Sequence, residues 1–430
     1  MSGSLPGCHC TGLKRSAANA AGLFFLSAIF FFSAGVPGLS ASGYEFDGVG
    51  AAAVARGGAV IADASDWTAV YWNPANLTGV KAKEAGLELK AGKAYSRDGN
   101  SLNTPFGNPF ADKKADSSFL LGSAGAVLPL NDRSAIGLGF YIPLLQGAEF
   151  SDTVQSPVIY SGIDYKGFAA IGVGNVSYAR RITEALSAAA GLNVLYADLE
   201  SRSTSGLAHS PFLAGAPDVV KQKMDGHGCS AEGVFGVKYR LSDKVDVGAV
   251  FRTGAKIVLK GGATATSQVL PAEKSDFKFT LRQPPTSGIG AAWRPWTGTT
   301  VTCDLTQTWW RGFSNRIDYA AAGLLIRDQA NTFDWKNSYK FRLGYKRTFK
   351  KDTDLLLGYA FDTPAIDKGS IDFATAIDVP MHRLSAGVTR KWGTVRGTLS
   401  ALAGEGWRRA GGVSYALFGW YFLGEAAYSF

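Results

Sequence analysis

The sequence has 430 residues, 53 of them Gly and 12% of them aromatic, yet only 18% are charged and the formal net charge is +9. Soluble proteins carry about 25% charge, so a plain water-facing surface is a poor fit, and mean hydropathy near zero argues against a bundle of spanning helices, each of which needs about 20 apolar residues. Closed barrels are the other structure that satisfies its own backbone in lipid, which makes a transmembrane β-barrel the leading class and a secreted all-β protein the alternative.

Lys14 and Arg15 precede an apolar stretch over 20–34 that contains Phe24, Phe25, Leu26, Ile29, Phe30, Phe31 and Phe32, and small residues follow at 38–43. A cationic start, a short apolar core and a small-residue cleavage region form a secretory signal, so residues 1–43 are expected to be removed between Leu39 and Tyr44. That removal takes away two cations and lowers the net charge from +9 to +7. Cys8 and Cys10 leave with it, and Cys229 and Cys303 alone make no disulfide framework.

Residues 44–83 do not alternate and are rich in Gly and Ala. A compact piece of this size beside a barrel has the barrel lumen in which to bury itself, and it is expected to be an N-terminal hatch. Residues 84–430 then alternate apolar and polar positions with period two, the pattern of strands with two different faces. In 244–260, Val245, Val247, Ala249, Phe251, Ala255, Ile257 and Leu259 oppose Lys244, Asp246, Arg252, Lys256 and Lys260. In 338–350, Tyr339, Phe341, Leu343, Tyr345 and Phe349 oppose Lys340, Arg342, Lys346 and Lys350.

Such segments predict fourteen strands, at 84–95, 117–130, 133–145, 168–181, 185–199, 229–241, 244–260, 276–296, 299–312, 338–349, 353–362, 382–392, 394–403 and 412–430. The connections alternate long and short, as an outer-membrane barrel with long outer loops and short periplasmic turns requires. Pro284 and Pro285 predict a bulge or break in the eighth strand, because proline donates no ladder hydrogen bond. In the last strand Phe418, Trp420, Phe422, Tyr428 and Phe430 share one parity and Glu425 the other. A terminal aromatic on a lipid-facing stripe resembles the signal read by the outer-membrane barrel assembly machinery, which makes Phe430 the expected point of contact.

The order Arg56-Gly57-Gly58-Ala59, Ile61-Ala62-Asp63-Ala64 and Asn73-Pro74-Ala75 resembles the hatch of the FadL family of outer-membrane transporters for long-chain fatty acids and other hydrophobic compounds. The resemblance continues through Tyr178–Ile182, Gly191–Ala197, Gly288–Pro295, Asp304–Trp310 and Gly358–Pro364 to Pro380–Arg383. It implies an all-β fold, a fourteen-stranded antiparallel transmembrane β-barrel with the hatch in its lumen, in the bacterial outer membrane. It also implies passive uptake without enzymatic activity or cofactor: the ligand is captured among outer loops, held in an interior pocket, and released sideways when the hatch moves. Asn73, Pro74 and Ala75 are the expected gating residues. Lys336 and, less directly, Arg202 are the candidate cations for a fatty-acid carboxylate, and Pro143 is the candidate for the lateral opening. Aromatic or alkane hydrocarbons as the cargo, and a structural or adhesive barrel with a fixed plug, are the rival readings.

Other patterns carry less. Gly48, Gly50 and Ala53 fit a loose dinucleotide-binding spacing, but no βαβ unit surrounds them. His209, His227 and His382 lack further ligands at metal spacing, with His227 and Cys229 read as lying in or beside a long loop. Ser385 falls on the opposite strand face from His382, which gives no nucleophile–base pair. Basic residues are spread over strand faces and loops, an arrangement that suits outer-membrane lipids, lipopolysaccharide or an anionic ligand and not nucleic acid.

Overall fold

The computed structural model describes residues 47–100, 114–155, 160–206, 219–267, 270–313, 315–331, 334–350, 352–370 and 378–430. The expected signal segment and His209 lie outside the described residues. Among those described, eighteen strand segments form one antiparallel sheet, closed because β1 (Glu84–Asn100) pairs with both β2 (Lys114–Asn131) and β18 (Val413–Ser429). β3 (Ser134–Gln155), β4 (Tyr160–Arg181), β5 (Leu186–Gly206) and β6 (Val219–Ser242) follow in order.

The next three crossings are each interrupted. β7 (Val245–Arg252) continues as β8 (Ala255–Thr266), β9 (Glu273–Gln283) as β10 (Thr286–Trp293), and β11 (Thr299–Thr308) as β12 (Asn315–Tyr319), which carries the short β13 (Gln329–Asn331) at its side. β14 (Ser338–Phe349), β15 (Thr353–Asp362), β16 (Met381–Trp392) and β17 (Val395–Ala410) complete the wall. With each interrupted pair counted as one crossing, the barrel has fourteen strands. Pro284 and Pro285 fall in the gap between β9 and β10, where neither has a ladder bond to donate.

The faces follow the pleat. Tyr339, Phe341, Leu343, Tyr345 and Phe349 are exposed outward, while Lys340 and Arg342 on the same strand are buried in the lumen. β18 does the same, with Phe418, Trp420, Phe422 and Tyr428 outside and Glu425 inside.

Two sequence expectations are corrected. The seventh crossing does not keep one face: Phe251 points outward, but Ile257 and Leu259, of the same parity, are fully buried inside. The break at Thr253 and Gly254 resets the pleat, and a one-residue slip moves every later side chain to the other face. Segments 146–167 and 200–228 are also not all loop. β3 to β6 project far beyond the predicted ends, with β4 and β5 paired from Ile163↔Ser205 onward and β5 and β6 from Gly206↔Val219 onward. Above the bilayer no lipid enforces alternation, so the pattern fades while the backbone ladder continues. His227 and Cys229 therefore sit in β6, opposite Asp198 and Tyr196. Cys229 and Cys303 are exposed and form no disulfide among the described residues.

Residues 47–83 lie inside the barrel. Their Ala-rich turns, Ala51–Ala55, Ala69–Trp72 and the 3-10 turn Pro74–Gly79, bury Val60, Trp67, Val70 and Leu77 against Val127, Ala135, Ile171 and Val173 of the wall. Small side chains suit a plug whose container has a diameter fixed by its strand number.

Candidate functional site

The Arg-Gly-Gly-Ala motif is a turn pressed onto the wall. Gly57 has φ 66, and a Cβ there would lie 2.6 Å from the Tyr359 carbonyl oxygen, so both conformation and space require glycine. Its amide donates to Ser385 Oγ at 3.1 Å and its carbonyl accepts from Arg342 at 3.0 Å. Ser385 is thus engaged with the hatch, while His382 bonds Tyr359 Oη at 2.8 Å among exposed side chains.

Arg56 binds Asp63 at 2.6 Å, which ties the Arg-Gly-Gly-Ala turn to Ile-Ala-Asp-Ala. Asp63 also meets Arg294 at 2.8 Å, and Arg294 meets Asp246 at 3.0 Å. Burial pushes the Asp63 carboxyl up, but the surrounding charges of Arg56, Lys346 and Arg294 outweigh it and hold Asp63 well below the usual carboxylate range. Asp66 is lowered likewise, with burial opposed by Arg396 and by bonds from Thr68. Gly50, of the loose dinucleotide pattern, donates its amide to Glu88 at 2.5 Å and precedes a turn of only five residues.

Asn73, Pro74 and Ala75 form the junction between the last two turns. Asn73 is fully buried. Its amide nitrogen donates to the carbonyls of Ile61 at 2.9 Å and Val237 at 3.0 Å, and its oxygen accepts from Ala75 N at 3.1 Å. One side chain therefore joins two hatch segments to the wall. Pro74 opens the 3-10 turn, a position where a missing N–H costs nothing.

Just before this motif, Tyr71 faces a lumen cavity lined by Ile61, Trp72, Tyr141, Pro143, Ile171, Val173, Glu232, Val250, Arg252, Trp310, Lys340 and Arg342, among others. The Tyr71 ring packs edge-on against Tyr141 at 5.1 Å and against Trp72 at 4.9 Å. Arg252 stacks over Tyr71 at 4.9 Å and donates to its carbonyl oxygen. Tyr141 in turn donates to Asn193, which donates to Glu232 at 2.7 Å. The cavity lining is largely apolar and aromatic but includes Arg252, Arg282, Lys340, Arg342 and Glu232, and hatch, wall and cavity share the same side chains.

The wall beside the cavity is incomplete. The β2–β3 ladder runs only from Asn131↔Ser134 to Ala124↔Phe140 among the described residues. Beyond it β2 pairs with β1 and β3 with β4, and the β3–β4 register shifts between Tyr141 and Leu144. Pro143 lies within that shift and lines the cavity.

The other two candidates lie elsewhere. Lys336 is exposed at the outer end, paired with Asp367, beside an outer groove lined by Phe313, Trp335 and Tyr339. Arg202 is exposed on projecting β5, bound to Glu200 at 2.7 Å. The cations at the cavity, Arg252, Arg282, Lys340 and Arg342, were not singled out by sequence. In sequence Arg252, Lys340 and Arg342 stand out only as polar-face residues; Arg252 alone adjoins a strand break, at Thr253, while register with β11 brings Lys340 and Arg342 to the cavity.

Structural comparison finds the same architecture in a Pseudomonas aeruginosa FadL homologue, 14% identical, covering 90% of this chain and 100% of that one with TM-score 0.74. The P. putida toluene transporter TodX is 15% identical, with 89% and 99% of the two chains covered and TM-score 0.69. The Ralstonia pickettii toluene transporter TbuX is 14% identical, with 89% and 99% covered and TM-score 0.65. At these identities the likeness is one of fold. No curated protein sequence matches the chain. Residues 34–392 match the model of the outer membrane protein transport protein family (OMPP1/FadL/TodX), and with the closed barrel and its luminal plug, the chain belongs to that family of outer-membrane transporters for hydrophobic compounds.

Proposed function

We propose that the protein carries long-chain fatty acids passively across the outer membrane. The observation that supports this reading is the lumen cavity, where an apolar and aromatic wall stands next to Arg252, Lys340 and Arg342. A lipid-like molecule gains little in a water-filled pore, because its acyl chain stays hydrated; a dry wall removes that cost at about 25 cal/mol per Å² of apolar surface. A carboxylate head finds charge-assisted donors beside the same wall.

In this reading the acid is captured at the outer end, where Lys336 offers a cation, and moves to the cavity. A shift of the hinge at Asn73, Pro74 and Ala75 then frees the ligand to leave through the wall beside Pro143, where the β2–β3 ladder stops. Arg202 is a second outer cation. A signal peptide ending before Tyr44 and assembly through Phe430 complete the proposed route to the outer membrane, where the barrel meets lipids and lipopolysaccharide.

Uptake of radiolabelled palmitate by cells that depend on this protein tests the reading. Lys336→Ala and Asn73→Ala should each lower it; unchanged uptake in both would end the gated-carboxylate account. Aromatic hydrocarbons are the second reading, supported by the rings of Tyr71, Trp72, Tyr141 and Trp310 around the cavity. Binding of palmitate but not of toluene by the purified protein favours the acid, and binding of toluene but not of palmitate favours the aromatic hydrocarbon.

A further inference from the structure

The ninth crossing leaves the sheet between β11 and β12. Trp310 and Phe313 in this interruption are buried against Trp335, Ala365 and Ile366. Trp310 and Trp335 stack with centroids 4.7 Å apart and planes 19° from parallel, and Phe313 sits edge-on to both, at 5.0 and 4.7 Å.

The two tryptophans are held differently. Trp335 bridges to Ile366, and Lys336 N donates to Ala365 O at 2.6 Å. Asp378 accepts from the amides of Ala365 and Ile366 at 2.5 and 2.7 Å, and Arg408 donates to Ile366 O at 2.8 Å. Trp335 is therefore braced by β17 from behind, whereas Trp310 stands on a segment that belongs to no strand. Their surroundings differ too. Trp310 lines the lumen cavity, while Phe313 and Trp335 line the outer groove with Arg311, Lys336 and Tyr339. One cluster of three rings is the wall between two hollows.

An aromatic wall treats different molecules unequally. Water or an ion passing it must part the rings and gains no contact in return. A flat aromatic molecule replaces a ring–ring contact by another of the same kind, so apolar surface stays covered throughout. We propose that Trp310, Phe313 and Trp335 form a selective partition between the outer groove and the lumen, and that a ligand bearing an aromatic ring crosses it by taking the place of Trp310 against the braced Trp335. The ligand class rests on the second, aromatic-hydrocarbon reading above; the partition itself rests on neither reading.

A cysteine in the cavity reads the partition directly. In intact cells carrying the full protein with Cys229→Ser, Cys303→Ser and Thr306→Cys, a cationic methanethiosulfonate reagent added outside reports access to the lumen, because Thr306 lines the cavity. Trp310→Ala should speed labelling about 2- to 10-fold, the change expected from losing one stacked pair. Toluene should fill the vacated seat and bring the rate back toward the parent's, and cyclohexane should do so less well. An unchanged rate in Trp310→Ala overturns the partition, and equal protection by toluene and cyclohexane overturns the aromatic seat. If Trp310→Ala does not assemble, Trp310→Phe decides, with a small rise supporting the partition and none overturning it. Labelling requires no transport, so a parent protein that takes up neither palmitate nor toluene would refute the transport reading while these rates still judged the partition.

Discussion

The hatch touches two sides of the barrel in two different ways. Toward β1 and β14–β18 it is bolted by charge. Arg383 binds Asp47 at 2.9 Å and Asp362 at 2.8 Å, with all three side chains almost fully buried. Arg396 joins Asp66 at 3.1 Å to Glu84 and Glu425, Glu425 accepts from Trp67 Nε1, and Lys90 donates to Gly48 O at 2.8 Å. Toward β2–β6 the contact is mainly packing, with Val70 and Leu77 laid on the bare backbone of Gly137 and Gly139 and a few bonds from Asn73, Thr78 and Arg181; at β7 it turns polar again, through Arg252 to Tyr71 and through Arg294, which links Asp63 to Asp246. The second side is also where the ladder between β2 and β3 stops.

The difference teaches where motion is cheap. Breaking a buried ion pair leaves a charge stranded in low dielectric, a cost of about 3–5 kcal/mol. Sliding an apolar face along a glycine stripe exchanges one set of van der Waals contacts for another and strands nothing. A hatch that moves on the β2–β6 side while staying fastened on the other is the arrangement these contacts favour.

The sharpest way to break the contrast is Arg383→Met, which leaves Asp47 and Asp362 facing each other without their cation. It should destabilise the plugged barrel by about 3–5 kcal/mol, read as a lower midpoint of thermal unfolding in detergent and as protease cutting within 47–83. Should the midpoint hold, the charged side is not the anchor.

Gly137→Val attacks the packed side instead. A Cβ there would lie 2.5 Å from Val70 Cγ1, and overpacking of this kind costs about 1–3 kcal/mol. The hatch should be displaced locally, with labelling of a Thr306→Cys lumen site faster and the global melting midpoint lowered less than by Arg383→Met. Equal losses from the two variants would remove the distinction between the sides.

Asn73→Ala leaves the carbonyls of Ile61 and Val237 without this donor, although Asn76 still donates to Ile61 at 2.9 Å. About 1–2 kcal/mol is expected from such a loss, seen as faster amide exchange over 73–79. Exchange confined to parental rates would demote Asn73 from hinge to passive turn residue.

The smallest effect is expected from mild acid. Asp63 and Asp66 have folded pKa values below the ordinary 3.8, so their stabilisation is complete above that value and is lost only as pH falls below it. The midpoint of thermal unfolding in detergent should not fall as pH goes from neutrality toward 4 and should drop beneath it. A drop already at mildly acidic pH would mean that these aspartates do not set the anchoring.

Much of this was legible in the sequence because lipid and lumen are such different solvents. Alternation along 338–350 and 412–430 assigned both faces of β14 and β18 correctly, and the strand number followed from the same period. The proline pair located the break between β9 and β10. Alternation failed where its cause was absent: above the bilayer, where β3–β6 continue without a lipid-facing pattern, and across Gly254, where a break turned Ile257 and Leu259 inward.

The sequence by itself determined the barrel class, the fourteen crossings, the luminal segment and its three short motifs, since each depends on local period or on residues adjacent in the chain. Only the tertiary structure decided what the motifs touch. Arg342 meets Gly57, Arg383 meets Asp47 and Arg252 meets Tyr71 across sequence separations that no local pattern encodes. It also placed Lys336 at the outer rim and other cations at the cavity, and it showed that the wall stops pairing next to Pro143. The physical reason is that closing a sheet into a tube gathers inward-facing residues from every strand around one plug, and which of them meet is set by register and strand breaks.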